Sequence, residues 1–488
     1  MVTAANQIET SVPLLLSPSD LSRAMTELQE YHAIYAPLFT RREQREWAEL
    51  YLRGLVSPDM ERKSIEPMVL AIKGVDGNAV RAVQQFTGAG GWEDGIILRR
   101  HWREVEVTLG EDDGVLVTDG SDFQKQGTES VGVKRQYCGE VGKRANCQAG
   151  VFLGYASSKG YTLLDRRLYL PEEWATGLEY AERRKKCGVP KDIGFQTKNE
   201  LAWNMIESVH REGSLRCRWA TFDEAFGRDT TFLDRVAGIG LWYLAEVPKD
   251  TQVWIDRPLT EIPAWKGRGP KPQRPRIIEG QPPAQTVAEI AVSFPPGLWT
   301  QHLIKEGSKG PMVADFVSLR VVSMRDSLPG PDAWLVFRRS MTTGEIKFYL
   351  SNAPVDTQLP TLVRISGMRW PIETCFEDGK QYLGMGDYEV RTWKGWHHHM
   401  TLCILAHHFL VRVQQKLKKT PALTLPQTIL LLSVLLPRPH FDLNWVLDVI
   451  TYRQKRNLAA YQSHRRSRLK RLCPEAAKSD PENENLSL

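Results

Sequence analysis

Between Ser17 and about Leu109, apolar residues recur at helical spacing, as in Leu21, Met25 and Leu28 and again in Trp47, Leu50, Leu52 and Leu55, with charges between them. That period predicts an all-α N-terminal unit. A glycine-rich break, Thr87-Gly-Ala-Gly-Gly91, precedes a last helical stretch holding Arg99, Arg100 and Arg103. Such a helix pair can dock DNA, and ordinary helix packing explains it at least as well. At Gly114 the texture changes to short apolar runs bounded by turn residues, at 115–118, 147–156 and 161–170, which predict three strands in meander order. A helix is expected at 197–211, a strand at 218–222, a helix near 232–237 and a fifth strand at 240–247. From 248 to about 296 the chain is rich in proline and cations, as in Arg268-Gly-Pro-Lys-Pro-Gln-Arg-Pro-Arg276, and cannot be regular helix or central strand. Strand texture returns at 316–322, 334–338 and 346–351, then helical texture from about Gln358 to Ser467, and a disordered acidic tail is expected from Pro474.

At 488 residues the chain exceeds the size at which one core usually stops growing, so several structural units are expected. The start lacks the basic and apolar regions of a signal peptide. The apolar stretch 429–436 falls short of the roughly 20 residues of a membrane helix and reads as a buried helix. Seven cysteines without a C-x-x-C pair argue against a disulfide framework or zinc module, and a reducing cytosol fits. A net charge of +6 leans basic. The cations cluster at 143–144, 183–186, 266–276, 416–419 and 464–471, which suits either a solvated face or a polyanion partner.

The order βββαβαβ places two aspartates directly after apolar runs. Asp119 follows 115–118 and Asp223 follows 218–222, so each is expected to project from the carboxyl end of a strand into the crevice where α/β sheets place ligands. Asp119-Gly120 also resembles a hairpin turn, and Asp223 suits a helix cap. Asp122 is a second choice for the first ligand, and Asp119 is preferred for its place at the strand end. Glu373 lies in Arg369-Trp-Pro-Ile-Glu-Thr-Cys-Phe-Glu-Asp-Gly-Lys380, where Pro371 marks a first helical position. Arg369, Glu373 and Lys380 then recur on one helix face, a carboxylate between two cations. Cutting a phosphodiester needs an activated nucleophile and a stabilised leaving oxygen. Two divalent ions held by hard carboxylate oxygens supply both. The run His397-His-His399 has no partner at zinc-site spacing and reads as a helix face near DNA or solvent.

The block Arg369-x3-Glu373-x6-Lys380 resembles the Y-x2-R-x3-E-x6-K signature of bacterial insertion-sequence transposases of the DDE class, with Ser366 in the tyrosine's place. The strings Asp119-Gly-Ser-Asp-Phe-Gln-Lys-Gln-Gly127 and Phe222-Asp-Glu-Ala-Phe-Gly227 resemble that family's first and second aspartate segments. Leu383-Gly-Met-Gly-Asp-Tyr-Glu-Val-Arg391 resembles the stretch after its glutamate. The resemblance implies an α/β fold with a ribonuclease-H-like catalytic core, a mixed five-stranded sheet with helices. A β-rich insertion would interrupt this core, and an all-α N-terminal domain would precede it.

The units implied are 1–110 for helical end recognition, 111–250 for the first part of the core, 251–352 for the Pro-rich arm and insertion, 353–415 for the second part with the glutamate helix, and 416–488 for a helical, basic C-terminal region. Asp119, Asp223 and Glu373 would be catalytic and would hold two Mg2+ (or Mn2+) ions. Arg369, Lys380, Ser366, Lys125 and Arg391 would contact DNA. The partners implied are the element's terminal inverted repeats, target DNA and a second copy of the chain, with no membrane and no nucleotide cofactor. The setting implied is the bacterial cytoplasm, at the nucleoid when bound to DNA. Because related enzymes use the insertion to handle a DNA hairpin, Trp265 or Trp299 is a candidate to stack on a base. The rival readings are a domesticated DNA-binding regulator without catalysis, and a ribonuclease-H-like nuclease that cuts without joining. A carboxylate-pair glycosidase gives no reason for Arg369 and Lys380.

Overall fold

The computed structural model describes residues 18–58, 60, 62–265, 267, 271–307, 310–417, 423–435 and 442–472. Expectations for the first 17 residues, for parts of the cationic stretches 266–276 and 416–419, and for the tail from Pro474 fall outside the described residues. The helical period before residue 110 becomes α1 (Pro18–Tyr35), α2 (Arg42–Val56), α3 (Ile65–Lys73), α4 (Gly77–Gly88) and α5 (Asp94–Leu109). Asp76 caps α4 by accepting from the backbone N–H groups of Asn78 and Ala79, which satisfies donors that a helix start leaves open. Two of the arginines of α5 are engaged in helix packing: Arg100 pairs with Glu104 at 2.7 Å, and Arg103 reaches Glu212 at 2.6 Å.

The strand texture after Gly114 gives β1 (Val115–Gln124), β2 (Lys134–Cys138), β3 (Lys143–Ser157) and β4 (Gly160–Tyr169). Helices α6 (Glu172–Thr176), α7 (Ala181–Lys186) and α8 (Lys198–Glu212) follow, the last opened by a capping box between Thr197 and Glu200. Then come β5 (Trp219–Phe222), α9 (Glu224–Gly227), α10 (Thr230–Gly238) and β6 (Trp242–Val247). β3 lies antiparallel to β1 on one edge and to β2 and β4 on the other, while β5 runs parallel to β1 and β6 parallel to β5. All four residues of β5 are buried, as expected of a strand covered on both faces.

Beyond β6 the chain makes β7 (Gln252–Trp254), β8 (Thr260–Glu261), β9 (Arg276–Ile277), β10 (Gln285–Thr286), α11 (Val287–Ser293), β11 (Thr300–Gly307), β12 (Gly310–Arg325), β13 (Leu328–Ser340) and β14 (Ile346–Ser351). β14 pairs antiparallel with β6. The expected insertion therefore extends the sheet that carries the aspartates, giving one mixed sheet of 12 strands, with β8 and β9 as a separate pair. A small core of its own, including Val253, Ile290, Leu335 and Phe337, supports it.

The C-terminal helices are α12 (Leu359–Gly367), α13 (Trp370–Tyr382), α14 (Trp393–Leu417), α15 (Leu425–Leu435) and α16 (Leu443–Leu472). In α15, Ile429, Leu431 and Leu432 are buried, in keeping with the buried helix read from the sequence. No described helix is long and apolar enough to cross a membrane. The described cysteines are all free.

Two expectations are corrected here. The histidine run does not face DNA or solvent, because α14 is covered by the N-terminal helices and β4, and His397, His398 and His399 are buried. His398 stacks on Trp92 at 3.6 Å and bonds the Thr87 carbonyl, so the glycine-rich break serves to seat it. His399 meets the Tyr51 hydroxyl at 2.8 Å. Burial pushes His398 down to about 4 and His399 down to about 3, so both are neutral core groups. The second correction concerns Asp119, which neither ends its strand nor makes a turn. β1 runs on to Gln124, and Asp119 sits in it opposite Phe152.

Candidate active site

Asp119 still reaches a sheet edge, for a reason the sequence does not display. β5 stops at Phe222, which pairs with Thr118, so Asp119 is the first residue of β1 beyond the end of its parallel neighbour, and Asp223 is the next residue on that neighbour. Two carboxylates are thereby set side by side at the carboxyl end of adjacent parallel strands, where ligands enter such sheets. Asp223 also caps α9, accepting from the Phe226 N–H at 3.2 Å, so the cap reading and the site reading hold together. The close approach of α9 to the sheet depends on Gly227, since a Cβ there would stand 2.0 Å from the Glu246 carbonyl oxygen.

Glu373 arrives from α13, which starts at Trp370 with Pro371 in its first turn, within one residue of the expected start. Arg369, just before the helix, bridges the groups: its guanidinium is 2.6 Å from Glu373 and 3.6 Å from Asp119. Seven residues past Glu373, Lys380 donates to the Asp122 carbonyl at 2.8 Å and lies 3.5 Å from Glu140. The one-face spacing of Arg369, Glu373 and Lys380 thus lays α13 along β1, with Arg369 at the carboxylates and Lys380 further along the strand. The Asp122 carboxylate accepts from the Gly139 N–H at 2.7 Å.

Burial raises Asp119, and the neighbouring charge of Asp223 raises it further, to about 7, against the opposing pull of the Gly120 N–H and Arg369. Burial raises Asp223 as well. Burial disfavours the charge on Arg369, but Glu373 and Asp119 outweigh it and hold the guanidinium protonated. Asp119 and Asp223, which resist ionisation, together with Glu373, which already pairs with a cation, are a donor set of hard oxygens that fits Mg2+ or Mn2+. As the side chains stand, among the described residues no three His, Cys, Asp or Glu side chains converge as a ready cage. Arg369 lies against two of the three carboxylates.

The other residues singled out from sequence are distributed as follows. The Ser366 hydroxyl is buried and donates to the Val363 carbonyl at 2.7 Å. Lys125 lies over the Tyr388 ring at 3.3 Å, and burial lowers it to about 8. Arg391 is exposed. Trp299 packs in the insertion core against Phe294 and Phe337 with Arg339 over its ring, whereas Trp265 is 53% exposed.

Sequence reasoning missed three cations and acids of the insertion side. Lys305 of β11 and Arg338 of β13 lie over the Trp370 ring, at 5.0 and 4.5 Å, and Lys305 interacts electrostatically with Glu373. Glu246 of β6 pairs with Lys347 of β14 at 2.8 Å. The only sequence signal for Glu246 was its place near the end of the expected strand 240–247.

A family model described as DDE superfamily endonuclease matches residues 35–311, more than half of the chain, and the chain belongs to that family. The match spans Asp119 and Asp223 and ends before Glu373. Among curated proteins none matches. Among solved structures, the piggyBac transposase synaptic complex with hairpin DNA aligns at a TM-score of 0.41 and 11% identity, over 88% of this chain and 82% of that one.

Proposed function

We propose that this DDE superfamily endonuclease is a DNA transposase that cuts at the ends of an insertion sequence and joins the freed ends to target DNA. The observation that carries the reading is that Asp119 lies beside Asp223 and is bridged to Glu373 by Arg369, which draws together acids from three separate stretches of the chain. Support for a ribonuclease-H-like core comes from the strand order β4–β3–β1–β5–β6, three antiparallel strands followed by two parallel ones. The bacterial insertion-sequence branch rests on the Arg369, Glu373 and Lys380 spacing and on the strings 119–127, 222–227 and 383–391.

In this reading the three carboxylates hold divalent magnesium or manganese, two ions per site, which supply activation of the attacking oxygen and stabilisation of the leaving one. Asp119 and Asp223, fixed by strand register and by the α9 cap, define the floor of the site. Arg369 balances Asp119 and Glu373 in the free protein and turns to a DNA phosphate in the complex, where a guanidinium gives a bidentate contact. Lys305 and Arg338 flank Glu373 and bind the neighbouring backbone. Double-stranded DNA, terminal repeats and target alike, is held largely through phosphates, so affinity falls steeply with salt. A dimer brings the two ends together.

The test is to incubate the purified protein with labelled DNA carrying the element's ends and a supercoiled plasmid, with Mg2+ or with chelator. The expected products are metal-dependent breaks at the ends and labelled ends covalently joined to plasmid. Cutting without joining would make the protein a nuclease only, and binding without cutting in Mg2+ would overturn the enzymatic reading in favour of a regulator.

A further inference from the structure

The row of acids at the sheet edge does not stop at Asp223. β6 is parallel to β5 with Ala245 opposite Phe222, so Glu246 is the neighbour of Asp223 in the same way that Asp223 is the neighbour of Asp119. Residues level with one another on adjacent strands point to the same face, about 4.8 Å apart per strand. Three acids, Asp119, Asp223 and Glu246, thus stand in line across β1, β5 and β6. The Glu246 side chain is only 13% exposed, less than Asp119 at 19% or Glu373 at 48%. Its negative charge is felt at both Asp223 and Arg369. Its one ion-pair partner among the described residues is Lys347, on the strand next to β6. A half-buried carboxylate beside the proposed metal ligands, tied back by a lysine of the insertion, does more for the site than a strand-to-strand ion pair requires.

We propose that Glu246 is a positioning residue of the active site. It adds negative potential at Asp223 and offers Arg369 an acidic flank, and Lys347 is the counter-ion that restrains this effect. Glu246 acts through Asp223 and Arg369. This inference rests on the reading of Asp119, Asp223 and Glu373 as cation ligands, and it deepens that reading by giving the insertion a direct electrostatic hold on the site. Loss of a residue that supports metal ligands from outside typically weakens metal binding by about 10- to 100-fold.

The experiment is Mn2+ titration of the full-length, DNA-free chain, with free Mn2+ followed by electron paramagnetic resonance and folding checked by thermal melting. Glu246→Gln is expected to raise the Mn2+ Kd by about tenfold, and Glu246→Asp, which keeps the charge, by much less. Lys347→Met is expected to lower the Kd, by about threefold, because it frees the Glu246 charge. An ion pair with a purely structural role predicts that Glu246→Gln and Lys347→Met move the Kd in the same direction or leave it alone, and either result overturns the proposal. Glu373→Gln separates this failure from that of the underlying reading. If it binds Mn2+ as the parent does, the metal site itself is wrong. If it loses Mn2+ while Glu246→Gln keeps the parent's affinity, only the role of Glu246 falls.

Discussion

Replacing Asp119 by Asn is expected to abolish metal-dependent DNA cleavage, by about a thousandfold or more, and at the same time to stabilise the metal-free protein above neutral pH. The two effects share one cause. Asp119 is buried beside Asp223, and its carboxyl is raised from 3.8 to about 7. A carboxyl with a raised folded value binds a proton that the unfolded chain releases. Stability from this group is therefore present below about pH 4 and lost as pH rises to about 7. Asn avoids that loss, which is roughly 4 kcal/mol at pH 8, so the melting temperature of the metal-free variant should exceed the parent's at pH 8 and match it near pH 4. Saturating Mn2+ should reverse the order at pH 8, because a cation bound only by the folded parent adds stability that the variant lacks. Melting curves at the two pH values, with and without Mn2+, check all three statements. A variant no more stable than the parent at pH 8 would mean that Asp119 is not under the electrostatic strain described here.

The opposite response is expected at Arg369. Its guanidinium is 16% exposed and lies against Glu373 and Asp119. Arg369→Ala leaves these acids without their cation, and because Glu373 is 48% exposed and screened by solvent the cost is about 1 kcal/mol. The metal-free variant should melt below the parent, and Mn2+ should raise its melting temperature by more than it raises the parent's. Cleavage with Mn2+ present should still fall about a hundredfold, since the bidentate phosphate contact is gone. Arg369→Lys should recover much of the stability and little of the cleavage, because an ammonium supplies charge without the planar fork. A variant with parental stability and parental cleavage would remove Arg369 from the site.

The helices and most long strands were legible because their apolar periods are strong: 197–211 became α8 and 147–156 lies within β3. β2 was missed because its Lys-Arg-Gln-Tyr-Cys sequence is polar and short, and it is a strand only by pairing with the first residues of β3. The extent of β1 was missed because its apolar run ends at Thr118 and Asp119-Gly120 resembles a turn, whereas pairing with β3 at ten successive positions holds the strand extended to Gln124. The histidine run was misplaced for a related reason. A polar triplet on a helix reads as a wet face, yet hydrogen bonds from Tyr51 and the glycine-rich break let it be buried. The placement of Asp119 and Asp223 at the ends of apolar runs and the shared helix face of Arg369, Glu373 and Lys380, on which the proposed site rests, were legible. Glu246 was not, because its relation to Asp223 exists only through the register of β6 on β5. Nor could periodicity reveal that the insertion continues the core sheet, which depends on β14 pairing with β6.

The most direct test of the account is anomalous X-ray scattering from crystals of the full chain soaked in Mn2+. Manganese peaks are expected between Asp119, Asp223 and Glu373, with the Arg369 guanidinium displaced from Asp119. Manganese bound elsewhere with Arg369 still against Asp119 and Glu373, or no manganese at all, would overturn the proposed site.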